Sequence, residues 1–276
     1  MANNAPVAPR CLLCLTGSVA AVKAPELYRA LTAAGFDVKV AATDAALHFL
    51  RTLPGAGDGS AASVAAVVGT AMLTDADEWA AWRGRGDPVR HIELKDWADV
   101  AVLAPLDANS LAKLANGLCD NLVTCVLRAW AAPKAVVVAP AMNTAMWEHP
   151  LTARHVDALR AFPWPVRVVA PVAKVLMCGV AGVGAMAAVD DIVTAAKVAV
   201  ALPPPLSPAA LSAPASPKRR RVRAPAAAKP VTNRNGAGKA AAKSQQAAAA
   251  AAAAAKPMRP APAKRNQLKQ APKGRR

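Results

Sequence analysis

Five short apolar runs, each set between helical patterns, constrain this chain more than any other feature. They are residues 11–16 (CLLCLT), 37–42 (DVKVAA), 100–105 (VAVLAP), 135–140 (AVVVAP) and 166–170 (VRVVA). Runs this short read as strands rather than helices, and most are too continuously apolar to leave one face in water. Between them the spacing predicts helices over 18–34, 43–50, 107–115, 120–128, 151–161 and 190–200, with a helical turn at 77–82. The last of these places Ile192, Ala195, Ala196 and Ala199 on one face behind two acids. Strands alternating with helices predict a parallel sheet covered on both sides, a doubly wound, Rossmann-like or flavodoxin-like α/β fold. The small, polar, Gly/Ala-rich stretch 51–69 reads as a surface insertion.

Charge divides the chain in two. Residues 1–200 carry 17 basic and all 17 acidic residues, whereas residues 201–276 carry the other 17 basic residues, no acid and 12 of the 24 prolines. The expected organisation is a short arm over 1–10, one domain over 11–200 and a disordered basic tail over 201–276. The tail has too little apolar surface to offset its chain entropy. No apolar run reaches the ~18 residues of a membrane span, and no secretory signal is visible. The five cysteines are an odd number, as expected of reduced thiols in a cytoplasmic protein. Cys11 and Cys14 point to opposite faces of a strand, and no other Cys/His set has ligand spacing, so no metal is predicted.

In a doubly wound sheet, ligands bind beyond the carboxyl ends of the strands. Gly17, Ser18 and Val19 follow the first strand; Gly17 permits close backbone approach, and the helix start suits a phosphate, although an ordinary turn would look the same. Thr43 follows the second strand, as a ligand hydroxyl or a plain N-cap. Asp107, Ala108, Asn109 and Ser110 follow the third, where small and amide side chains suit a flat cofactor or a capped helix. After the fourth strand come Ala141, Met142, Asn143, Met146 and Trp147. Core packing explains Met142 and Trp147 but leaves Asn143, which suits a carboxylate or amide. His91, just before a helical stretch, is the best neutral-pH base in the chain, though a lone His is more often structural. Cys178 precedes a run with Gly179, Gly182 and Gly184, a Gly-hinged position for a thiol acid or nucleophile, or a small buried apolar residue.

Taken together, TGSVA (16–20), HIEL (91–94), WADVAVLAPLDANSLAK (97–113), GLCDNLVTCVLRAW (117–130), PAMNTAMWEHP (140–150) and CG..G.GAMA (178–187) resemble the phosphopantothenoylcysteine decarboxylases, within the homo-oligomeric flavin-containing cysteine decarboxylases. The resemblance spans roughly residues 11–200. It implies FMN, held by Gly17, Ser18, Val19, Thr43, Asp44, Ala45, Asp107, Ala108, Asn109, Ser110 and Ala141. It implies His91 as the catalytic histidine, Asn143 as the substrate-carboxylate ligand, and Cys178 as the proton donor on a flap. Val175, Leu176 and Met177 would close over the substrate. It also implies a homotrimer with the flavin at a subunit boundary. The implied reaction takes 4′-phospho-N-pantothenoylcysteine to 4′-phosphopantetheine and CO2, in coenzyme A biosynthesis. Oxidising the CH2–SH arm to a thiocarbonyl places an electron acceptor β to the carboxylate; FMN supplies that oxidation and later reverses it. Val180 stands where such enzymes often carry an acid.

Other readings attach to the same chain. Relatives of this fold serve as phosphatase-inhibiting subunits, some lacking part of the catalytic set; here His91, Asn143 and Cys178 are all present, favouring the enzyme. The tail predicts salt-sensitive association with an anionic partner, nucleic acid or an acidic protein. Its SPKRRRV segment (216–222) looks like a nuclear-import cluster.

Overall fold

The computed structural model describes residues 7–175 and 181–201. The tail over 202–276 and the triplet Leu176, Met177 and Cys178 therefore lie outside the described residues.

Strand β1 (Arg10–Leu15) leads through a 3-10 turn, Val19–Lys23, into α1 (Ala24–Ala33). The single helix expected over 18–34 is thus broken in two. Pro25 lacks an N–H and fits only the first turn of an α-helix, so α1 begins at Ala24. There follow β2 (Asp37–Ala42), α2 (Asp44–Leu50), α3 (Ala61–Val68), β3 (Met72–Leu73), α4 (Asp75–Ala81), α5 (Arg90–Trp97), β4 (Val100–Leu106), α6 (Ala108–Asn116) and α7 (Leu122–Arg128). The domain continues with β5 (Ala135–Pro140), α8 (Thr144–Trp147), α9 (Pro150–Arg160), β6 (Val166–Val168), β7 (Val172–Val175), β8 (Ala181–Ala185) and α10 (Val189–Ala201).

Six strands form one parallel sheet in the order β3-β2-β1-β4-β5-β6. The order reverses between β1 and β4, where Cys11 pairs with Val100. That adjacency opens the crevice of a doubly wound sheet beyond Leu15 and Leu106.

Alternation along the strands builds a core on each face. Cys11, Leu13 and Leu15 join Val102 and Val137 beneath α1, α2, α3 and α10. Leu12, Cys14, Leu103 and Val138 face the other way, beneath α5, α6, α7 and α9. The opposite orientation of Cys11 and Cys14 is as expected, and burial pushes both thiols upward, Cys14 to about 12.

Two expectations are corrected here. The stretch 51–69 is no surface insertion: Ala56, Val64 and Val68 are buried in the first core, and α3 packs on α1. The Ser60 N-cap and Gly69, at φ +96°, delimit that helix. The glycines after position 180 form no hinge among the described residues. Gly182 and Gly184 belong to β8, which pairs antiparallel with β7 in a separate two-stranded sheet.

Candidate active site

Three strand-to-helix junctions meet at the crevice. Thr16 ends the first run and is fully buried. Its hydroxyl donates to Pro105 O at 2.8 Å and accepts from Asp107 N–H at 2.8 Å, tying the β1 and β4 ends together. Thr43 N–H donates to Leu15 O at 3.1 Å, while its hydroxyl accepts from Ala46 N–H at 3.2 Å as the cap of α2. Asp107 Oδ1 accepts from Ser110 N–H at 3.0 Å as the cap of α6. The two capping readings are thus real, and they aim the starts of α2 and α6 at one space.

That space is a cavity of about 200 Å³ lined by Gly17, Thr43, Asp44, Ala45, Asp107, Asn109 and Ser110, with Asp75, Lys113, Asp120 and Asn121 on its remaining wall. Seven of the sequence-predicted flavin residues therefore converge. Ser18, Val19 and Ala108 adjoin them in the chain, and the Ser18 hydroxyl accepts from Ala20 N–H to cap the 3-10 turn. Ala141 joins the same edge through its N–H to Leu106 O, at 2.9 Å. A Cβ placed on Gly17 would stand 2.7 Å from Ala45 Cβ and 3.2 Å from Asp107 Oδ2. The cradle is closed to any side chain at that position, which fits a backbone surface laid against a flat ring and its phosphate.

The far wall is ionic. Lys113 Nζ donates to both Asp120 oxygens, at 2.9 and 2.7 Å, and this bond holds the Asp120 carboxyl below its ordinary range. Asp75 Oδ1 accepts from Leu122 N–H at 2.6 Å. Burial outweighs that bond and raises the Asp75 carboxyl, with Asp44, Glu78 and Asp120 adding repulsion. Lys113, Asp120 and Asn121 lie inside two of the strings quoted above, so the sequence contained them without marking them.

His91 is the second residue of α5 rather than a residue before it, and it does not line this cavity. Its Nδ1 is hydrogen-bonded to Glu78 Oε1 of α4, with both side chains partly buried. Nothing in sequence spacing marked Glu78, because the pair meets across two helices.

Asn143 caps α8, with Oδ1 accepting from Ala145 N–H at 2.9 Å. Capping accounts for the acceptor that core packing left unexplained. Hairpin β7–β8 sits on this segment: Met142 N–H donates to Gly184 O at 2.9 Å. A Cβ on Gly184 would lie 2.2 Å from Met142 O, and one on Gly182 2.3 Å from Thr144 Oγ1. These glycines permit close packing against the Asn143 loop. Thr144 Oγ1 is buried with no hydrogen-bond partner among the described residues. Val175 ends β7, and the following residues, with Cys178, lie between the two strands in the chain.

A family model described as Flavoprotein matches residues 3–200. The chain is similar to phosphopantothenoylcysteine decarboxylase of Mus musculus, 48% identical over 195 residues, covering 70% of this chain and 87% of that protein. It is also similar to the enzyme of that name from Oryza sativa subsp. japonica, 46% identical over 184 residues, covering 66% and 76%. Among solved structures, a cysteine-to-serine mutant of PPC decarboxylase complexed with pantothenoylaminoethenethiol superposes with a TM-score of 0.61 at 42% identity, covering 69% of this chain and 97% of that one. The FMN binding protein AtHal3 gives 0.58 at 43% identity, covering 69% and 95%.

Proposed function

The chain belongs to the Flavoprotein family, and from that membership together with the convergent cradle we infer an FMN-dependent decarboxylase acting on 4′-phospho-N-pantothenoylcysteine. The reaction yields 4′-phosphopantetheine and CO2 and serves coenzyme A biosynthesis. The single observation that carries the reading is the cavity at the β1/β4 reversal, where seven residues expected from sequence to hold FMN come together around a glycine whose Cβ would crowd Ala45.

Gly17, Ser18 and Val19 would offer backbone groups to the phosphate side, with Thr43, Asp44 and Ala45 beside them. Asp107, Ala108, Asn109, Ser110 and Ala141 would line the ring. Bound there, FMN would supply the two-electron oxidation of the substrate's CH2–SH arm and its later reversal. Asn143 is exposed at the head of α8, where its amide would orient the substrate carboxylate. His91 would move the thiol proton, and Cys178, between Val175–Met177 and Gly179, would protonate the product side.

His91 lies off its own chain's cavity, which supports a homotrimer in which it serves a neighbour's flavin. Trp79 (77% exposed), Trp82 (55%), Val89 and Ile92 expose apolar side chains on and between α4 and α5, around His91 in the chain. An apolar patch of this kind suits a subunit interface. The uncompensated cations of the tail support salt-sensitive binding of nucleic acid or an acidic protein.

The test is direct. The purified full chain should be yellow, with flavin close to stoichiometric, and should release CO2 and 4′-phosphopantetheine by mass spectrometry. His91→Asn should keep its flavin and lose turnover. A colourless, inactive protein that takes up no added FMN would overturn the reading.

A further inference from the structure

We infer that Glu78 is a positioning residue for His91, holding the neutral ring in the Nδ1–H tautomer so that Nε2 is the atom that accepts a proton. The inference rests on the reading above, in which His91 moves the substrate's thiol proton. A carboxylate only accepts hydrogen bonds, so the contact between Glu78 Oε1 and His91 Nδ1 requires the proton on Nδ1. The Nε2 lone pair is then left for chemistry. In the step served, the substrate S–H bond breaks, an Nε2–H bond forms, and the resulting imidazolium stays paired with the Glu78 carboxylate.

The frame around the pair is built to hold it. Glu78 lies on α4, whose start is locked by a capping box: Asp77 Oδ2 accepts from Thr74 N–H at 2.8 Å and from the Thr74 hydroxyl at 2.7 Å. Asp75 of the same turn accepts Leu122 N–H and ties α4 to α7. Between the helices, Asp87 Oδ2 accepts from Arg83 N–H at 2.7 Å and Gly84 N–H at 2.9 Å, fixing the link to α5. Neighbouring acids are otherwise engaged. Asp77 serves Thr74, and Glu93 pairs with Arg90 at 3.0 Å. Other titratable groups that feel the Glu78 charge include Asp75 on α4 itself and Cys125 on α7. Burial, then Glu78 itself, pushes the Cys125 thiol up to about 11, which keeps it neutral. Among the described residues, His91 is the basic group placed on Glu78.

The experiment uses the full-length holoenzyme with 4′-phospho-N-pantothenoylcysteine as substrate. Glu78→Gln should lower kcat roughly 10- to 100-fold, the loss seen when a histidine's orienting partner is removed at metal sites. KM and flavin content should stay near wild type. Nitrogen NMR of labelled histidine should show the Nδ1–H tautomer in the parent and a mixture in Glu78→Gln. Wild-type kcat in Glu78→Gln while His91→Asn is dead would overturn the positioning role and leave the decarboxylase reading standing. Full activity in His91→Asn would overturn both. If Glu78→Gln is purified without flavin, Glu78→Asp decides: it keeps the charge but shortens the reach, so an intermediate kcat with flavin retained is expected, and unchanged kcat would refute the role.

Discussion

Thr16→Val removes one oxygen atom and almost no volume from a fully buried point where the β1 and β4 ends meet. The wild-type hydroxyl bridges Pro105 O and Asp107 N–H, each at 2.8 Å. After the change Pro105 O still receives Thr16 N–H at 3.3 Å, so the carbonyl keeps a donor. Asp107 N–H loses its acceptor at a part-buried position. A stranded donor of this kind costs about 1–3 kcal/mol. At roughly 2–4 °C per kcal/mol for a domain of this size, a central cost of about 2 kcal/mol lowers Tm by roughly 4–8 °C. Thr16→Ser is the control: it keeps the hydroxyl and gives up one methyl group, about 0.8 kcal/mol. The expected order of stability is wild type, then serine, then valine, although valine is the more apolar residue. Thermal melts of the full chain with FMN, read by tryptophan and flavin fluorescence together, measure it. Flavin should also leave the valine variant at lower temperature, since Asp107 caps the helix that lines the cradle. A valine variant as stable as wild type, or more stable than serine, would refute the argument that this hydroxyl joins β1 to β4.

Other outcomes follow from single contacts. Gly17→Ala should cost flavin affinity at least tenfold by fluorescence titration while the fold survives, because the new methyl group meets Ala45 and Asp107 at the cradle. Gly184→Ala should leave flavin bound but depress turnover, since its Cβ strikes the backbone carbonyl of Met142 beside Asn143; unchanged kcat/KM would contradict that placement. The Asp75 carboxyl is raised in the fold, so the folded state holds its proton longer than the unfolded chain and stability falls as pH rises from about 4 toward the raised value. Asp75→Asn should remove that slope in urea titrations at successive pH values while still accepting Leu122 N–H. Native-state thiol labelling followed by mass spectrometry should modify the exposed Cys119 well before Cys125, and Cys11 and Cys14 only on unfolding.

Strands that are continuously apolar announced themselves: β1, β4 and β5 lie where the runs CLLCLT, VAVLAP and AVVVAP place them, and the strand-end rule led to the cradle. Short or small-residue elements did not. Strand β3 is only Met72–Leu73, and α3 is nearly all alanine and valine, so its buried stripe of Val64 and Val68 has little contrast with its surroundings. The β7–β8 hairpin was hidden because its glycines look like hinges, yet they are small where another backbone passes close. At the site, caps and motif positions were legible because they are local. Thr16, which ties residues 89 apart, and Glu78, which reaches His91 from another helix, act through tertiary contacts that one-dimensional spacing does not encode.

Thr16 and Pro105 are hydrogen-bonded partners separated by 89 residues. During synthesis at about 5–20 residues per second, that interval lasts roughly 4–18 s. Throughout it β1 has emerged without the strand that covers one of its two edges in the finished sheet. The flavin cradle is incomplete throughout that window, because Asp107, Asn109 and Ser110 have not yet been made. Flavin supply can therefore bear on each molecule only after residue 110 has been made. Flavin shortage should leave the β1–β2 pairing untouched and weaken the step in which the β4 end is locked against β1.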